Sequence, residues 1–151
     1  MMCDLKYKEL FKVIKMTQES YITLDETTDF ILMYRYECAY LLVKAAKEEI
    51  YLGDFYGNPT CGFISNVNNW CIVCGVTFVI WTKNEIVEIA DNDLSYVFEV
   101  RQIAKNKVEL LIDPWVENAA IWEFDITTKE KHKIKDFPYY KNKEYTNNVE
   151  W

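Results

Sequence analysis

Glycine and proline are scarce in this chain, at 4 and 3 of 151 residues. That scarcity excludes a low-complexity linker or a collagen-like repeat. Histidine is scarcer still, because His132 is the only one. Any Ser-His-Asp or Cys-His mechanism would have to use it, and its neighbours Lys131 and Lys133 place it on an exposed strand or turn. Arginine occurs only at Arg35 and Arg101, and the net charge is −7. A chain so poor in arginine and so acidic repels phosphate, which argues against nucleic-acid binding. No apolar run approaches the ~20 residues of a membrane-spanning helix; "GVTFVIW" (75 to 81) is among the longest. Neither a G-x-G-x-x-G nor a Walker-type phosphate loop is present.

What is present is aromatic and apolar. The chain has 5 Trp, 11 Tyr and 8 Phe, and half of its residues are hydrophobic. This composition suits a single packed domain over residues 1–151, which needs no disulfide or metal to fold. The opening stretch MMCDLKYKELFK lacks the apolar core of a secretory leader. A cytoplasmic, reducing setting is therefore expected, with the five cysteines as free thiols. Net charge is uneven: residues 51 to 100 carry one basic side chain, Lys83, and six acidic ones.

Strands and tight turns dominate from about residue 40 onward. Segments rich in Val, Ile, Tyr, Phe and Trp alternate with turn signals at Asn66–Asn69, Lys83-Asn84, Lys105-Asn106 and Thr127–Glu130. Short connections of this kind favour an antiparallel meander of hairpins. The expected fold class is mainly β, or α+β with limited helix near the N-terminus. "DLKYKELFKVIKM" reads as a helix capped by Asp4 or as a strand, and "FILMYRYECAYLLVKAAKEE" shows the same ambiguity. No linker and no internal repeat stands out.

Cys71 and Cys74 stand at C-x-x-C spacing in "NNWCIVCG". The residues between them, Ile72 and Val73, are β-branched and call for a strand. On a strand, residues three apart point to opposite faces, so these two thiols should diverge, with no shared disulfide or metal. Four carboxylates, Glu85, Glu88, Asp91 and Asp93, crowd "EIVEIADND". They read as a solvated face, as a patch for a basic partner, or as an acid/base pair like that of a glycosidase. Lys129, Lys131, Lys133 and Lys135 alternate as one face of a strand, and lysine on an edge strand blocks edge-to-edge pairing. Asp54 and Tyr56 sit at a loop edge in "GDFYG". Tyr139 and Tyr140 belong to an aromatic tail that either covers one end of the sheet or forms a contact surface.

The "GDFYGNP" strand-turn segment, the hairpins after it and the acidic surface resemble the small acidic immunity proteins that bacteria make against polymorphic or contact-delivered toxins. The resemblance implies a protein-binding module that occludes a toxin's active site. Glu85, Glu88, Asp91 and Asp93 would then stand in for substrate phosphates, with aromatics as anchors. On these grounds the partner-binding set is Glu85, Glu88, Asp91, Asp93, Asp54, Tyr56, Tyr139 and Tyr140. The expected partner is a protein, a basic toxin domain being one candidate, with no cofactor, no nucleic acid and no membrane. Two other classes compete: a carboxylate-based hydrolase, and a structural subunit or homo-oligomer.

Overall fold

Each stretch of β-branched and aromatic residues between turn signals forms one strand, and the strands gather in fours. The computed structural model describes residues 20–151. The first sheet contains β1 (Ile22–Glu26), β2 (Phe30–Arg35), β3 (Cys38–Val43) and β4 (Glu48–Asp54). The second contains β5 (Cys61–Ile64), β6 (Trp70–Cys74), β7 (Phe78–Thr82) and β8 (Ile86–Ile89). The third contains β9 (Val97–Ala104), β10 (Lys107–Ile112), β11 (Ala120–Asp125) and β12 (Lys131–Asp136). In every sheet, spatial order follows chain order and all pairs are antiparallel. The expectation of a mainly β meander therefore holds, three times over. "FILMYRYECAYLLV" resolves as strands; the proposed N-terminal helix at 4 to 16 lies outside the described residues.

The three sheets repeat one plan. Their third strands begin at Cys38, Phe78 and Ala120, 40 and 42 residues apart. The sequence reading, which found no repeat, is corrected here. Sheets approach one another most closely along their first strands, β1 beside β5 and β5 beside β9. Four-stranded meanders set side by side by their first strands are blades of the β-propeller type. A propeller closes with about four to eight blades. Here one core joins the first sheet to the second through Leu32, Leu41, Val73 and Val79. Another joins the second to the third through Ile72, Phe78, Leu110 and Phe124. Among the described residues no core cluster joins the third to the first, and these three described blades are arranged as a fan.

The middle sheet is covered on both faces, which explains why all of β6 is buried. Its first strand comes so close to its neighbour that Gly62 has no room for a side chain. A Cβ there would stand 2.8 Å from Leu32 Cδ2 and 3.1 Å from Leu24 Cβ. The outer face of the third sheet is covered instead by the chain after β12. Phe137 and Val149 pack with Leu111, Ala119 and Ile121, flanked by Trp115, Tyr140 and Trp151. This segment does for the last blade what a capping repeat does for a solenoid: it supplies apolar contacts inward and polar groups outward.

Candidate functional site

Antiparallel strands send alternate connections to opposite ends of the fan. One end holds the turns at 36–37, 75–77 and 113–119 and the sheet-to-sheet crossings at 55–60 and 90–96. Backbone bonds knit these together: Phe55 N–H donates to Glu37 O, Val97 N–H to Gly75 O and Asp113 N–H to Tyr96 O. Phe137 N–H donates to Ala119 O, which brings the C-terminal segment to the same end. The opposite end holds the turns at 27–29, 44–47, 65–69, 83–85, 105–106 and 126–130.

The exposed tyrosines divide unequally between the two ends. Tyr36, Tyr56, Tyr96, Tyr139 and Tyr145 are 54% to 93% exposed, and all five lie on the first end. Tyr36 and Tyr96 hold left-handed backbone, at φ 56° and 60°. Such angles cost a non-glycine residue energy and persist only where the surroundings enforce them. For Tyr96 the enforcement is visible, because its N–H donates to Val76 O and its carbonyl accepts from Asp113 N–H. The Arg35 guanidinium lies 5.1 Å from the Tyr36 ring, and Phe137 meets the Tyr139 ring edge-on at 5.0 Å. These rings are exposed but positioned.

Beside them lies a cleft of about 740 Å³. It opens between the starts of β5 and β9 and the C-terminal segment, and Cys61, Phe98, Glu99, Asp113, Trp115 and Tyr145 are among its walls. Trp115 and Tyr145 stack at 4.9 Å, and Phe98 meets Trp115 edge-on at 5.4 Å. Trp115 Nε1 is buried without a hydrogen-bond partner. Glu99 accepts a hydrogen bond from Trp151 Nε1, and Asp113 Oδ1 accepts one from Trp115 N–H.

The residues singled out from the sequence do not form one site. Asp54, Tyr56, Tyr139 and Tyr140 lie at the tyrosine end. Of these, Asp54 accepts from the Tyr51 hydroxyl at 2.7 Å. Tyr140 is half-buried, stacked on Phe137 at 5.9 Å, and works as part of the cap. Glu85 lies at the opposite end, 3.4 Å from Lys129. Glu88 sits on edge strand β8 and accepts from Thr77 Oγ1. Lys131, on β12, bridges Asp91 and Asp93 at 2.8 Å each. Its hydrogen bond holds the Asp91 carboxyl below the usual range, helped by the Asp93 and Leu94 backbone N–H groups. Lys131, Lys133 and Lys135 do lie on an edge strand, since β12 ends its sheet, whereas Lys129 stands in the turn before it with left-handed backbone. It also neutralises the acidic window next to it. His132 is exposed on that edge.

The cysteines diverge as expected on β6. Cys71 joins the core toward the first sheet and Cys74 the core toward the third. Cys61, Cys71 and Cys74 are free thiols. Cys38 is disulfide-bonded, which corrects the expectation of free thiols throughout. Among the described residues no three His, Cys, Asp or Glu side chains cluster as metal ligands, and no helix is long and apolar enough to cross a membrane. Sequence reasoning missed Tyr36, Tyr96 and the whole cleft. The signal that could have found them is the repeat, which assigns every turn to an end.

No family model and no curated protein matches the chain. Among solved structures, hydrazine synthase from Kuenenia stuttgartiensis is similar, with a TM-score of 0.50 and 17% sequence identity. The similarity covers 71% of this chain and 34% of that one, so it spans about a third of the other chain's length. At that identity the likeness is one of fold and carries no activity across.

Proposed function

We propose that this protein is a protein-binding module and that its tyrosine end is the contact surface. The observation that carries this reading is the segregation of the five tyrosines exposed among the described residues to one end of the fan. Tyrosine offers a large, semi-rigid, amphipathic contact at low entropic cost, which is why it is enriched at binding hot spots. Net charge of −7 favours a basic partner and speeds encounter with it. A toxin domain is one such partner, as the resemblance to immunity proteins implies; the comparisons with known proteins add nothing to that finer assignment.

The carboxylate-hydrolase reading loses ground at the acidic window. A general acid there needs a raised pKa, whereas Asp91 is lowered by Lys131. The cytoplasmic setting belongs to the proposal as well. Three free thiols accord with it, and the Cys38 disulfide weighs against it.

The test is affinity capture from lysate of the source organism, using wild type, a Tyr36→Ala/Tyr56→Ala double variant and a Glu85→Gln/Glu88→Gln double variant. One stoichiometric partner that the tyrosine variant loses and the acid variant keeps supports the assignment. A partner kept by the tyrosine variant would overturn it.

A further inference from the structure

Cys74 stands at C-x-x-C spacing from Cys71 and points away from it, and the fold gives it another neighbour. The turn at 66–69 is closed by Ser65 N–H donating to Trp70 O, and that register sets Cys61 opposite Cys74 across β5 and β6. Directly opposed residues of an antiparallel pair point to the same face, with Cα atoms about 4.5 to 5.5 Å apart. A disulfide needs about 4.4 to 6.8 Å. Both side chains enter the core shared by the second and third sheets, where the neighbouring Cys61 thiol adds to burial in raising the Cys74 pKa. Both are free thiols. Cys61 is half-exposed on the wall of the cleft, whereas Cys74 is fully buried.

We propose that Cys61 and Cys74 form a reversible redox pair, oxidised to a cross-strand disulfide by a small hydroperoxide that enters through the cleft. Cys61 is the thiol that reaches solvent, so it reacts first. Its sulfur takes the terminal hydroperoxide oxygen, the O–O bond breaks, and Cys61 becomes a sulfenic acid while water or an alcohol departs. The Cys74 sulfur then attacks the Cys61 sulfur. The S–S bond forms, the S–O bond breaks, and the Cys74 proton leaves with the hydroxyl as water. Overall two thiols are oxidised and one peroxide is reduced. Burial raises the Cys74 pKa well above the usual thiol range. Cys74 therefore keeps its proton while Cys61 meets the peroxide, and gives it up only as its sulfur attacks. Cys71 points into the other core and is buried, so it serves as an internal control.

The experiment treats the full-length protein with hydrogen peroxide, blocks remaining thiols with an alkylating agent, and maps peptides by mass spectrometry. The expected result is a Cys61–Cys74 cross-linked peptide, a loss of two thiols relative to the untreated protein, reversal by dithiothreitol, and an unchanged Cys71. In Cys74→Ser the sulfenic acid on Cys61 should persist and be trapped by dimedone. In Cys61→Ser, a mild change at a half-exposed position, Cys74 should resist oxidation. Over-oxidation of Cys61 to sulfinic acid in the wild type without a cross-link would overturn the proposal. So would full retention of both thiols at peroxide doses that consume free glutathione. Neither outcome depends on the tyrosine end binding a partner.

Discussion

The same twelve strands build both ends of the fan, yet the two ends carry different chemistry. At one end, broad connections of up to seven residues present tyrosines over a cleft. At the other, tight turns are closed by charges and amides: Lys44 to Glu26, Lys129 to Glu85, and Asn66 N–H to Gln102 Oε1. Trp70, fully buried, completes that end by donating Nε1–H to Lys105 O, which ties the second sheet to the third. The contrast teaches where stability and recognition lie in a bladed fold. Short turns are self-satisfied and have little left to offer a partner. Longer crossings must span from the outer edge of one sheet to the inner edge of the next, and that length lets side chains project.

Both ends rest on the cores between the sheets, and breaking one of those cores should remove both ends together. Phe124, on β11, meets Phe78 of β7 edge-on at 5.1 Å between the second and third sheets. Phe124→Ala should cost about 3 to 5 kcal/mol, read by urea denaturation as a lower midpoint at unchanged slope. If tyrosine-end and opposite-end probes melted separately in this variant, the blades would not be one cooperative unit.

A smaller effect belongs to the charged end alone. Glu49, near the start of β4, is 5% exposed, and both its carboxyl oxygens are buried without hydrogen-bond partners. Desolvation raises its pKa from 4.5 to about 7. The folded form therefore holds a proton that the unfolded chain gives up between those values. Stability is undiminished below pH 4.5, falls as pH rises toward 7, and stays lower above it. The full change is on the order of 3 kcal/mol. Glu49→Gln should abolish this slope between pH 5 and 7.5, as measured by denaturation at several pH values. Asp91 and Asp125, whose pKa values are lowered, act with the opposite sign and only at more acidic pH. A wild-type protein with flat stability from pH 5 to 7.5 would show that Glu49 is solvated.

Recognition is expected to separate the ends next. Tyr56 is 93% exposed and Tyr36 74%, so neither contributes much to folding. Each alanine substitution should weaken partner binding by about 2 kcal/mol, or roughly 30-fold, in calorimetry. Thermal stability should stay unchanged. Equal losses from Lys129→Ala at the other end would erase the functional contrast.

Local rules made much of this fold legible. The turns at Lys83-Asn84 and Lys105-Asn106 are where the sequence places them, because β-branched and aromatic runs bound them on both sides. The divergence of Cys71 and Cys74 followed from strand periodicity alone. The grouping into three sheets did not, because a hairpin turn and a sheet-to-sheet crossing look alike in sequence: "GDFYGNPT" joins two different blades, not two halves of one hairpin. The repeat was masked by unequal connections, even though "YLLVKAAKEEIYLGD" (40–54), "FVIWTKNEIVEIAD" (78–91) and "AIWEFDITTKEKHKIKD" (120–136) line up on inspection. The Cys61–Cys74 pairing was within reach, since a turn at 66–69 already dictates that register. The end-to-end division of tyrosines needed the repeat first, because it depends on knowing which connections share an end.

The weakest effect tests how much of the charged surface is only solvation. Lys131 spans Asp91 and Asp93 at 2.8 Å and lies 5.3 Å from the Trp122 ring, but all of β12 is exposed. Exposed pairs of this kind contribute about 0 to 1 kcal/mol and weaken with salt. Lys131→Ala should therefore lower stability by less than about 1 kcal/mol, with the difference vanishing near 1 M salt. It would also uncover two carboxylates that are neutralised in the wild type. If the tyrosine end alone recognises the partner, affinity for a basic partner should rise only through a faster association rate at low salt, with dissociation unchanged. A slower dissociation rate in Lys131→Ala would instead bring Asp91 and Asp93 into the interface, and the division between a binding end and a self-satisfied end would have to be redrawn around the outer edge of the third sheet.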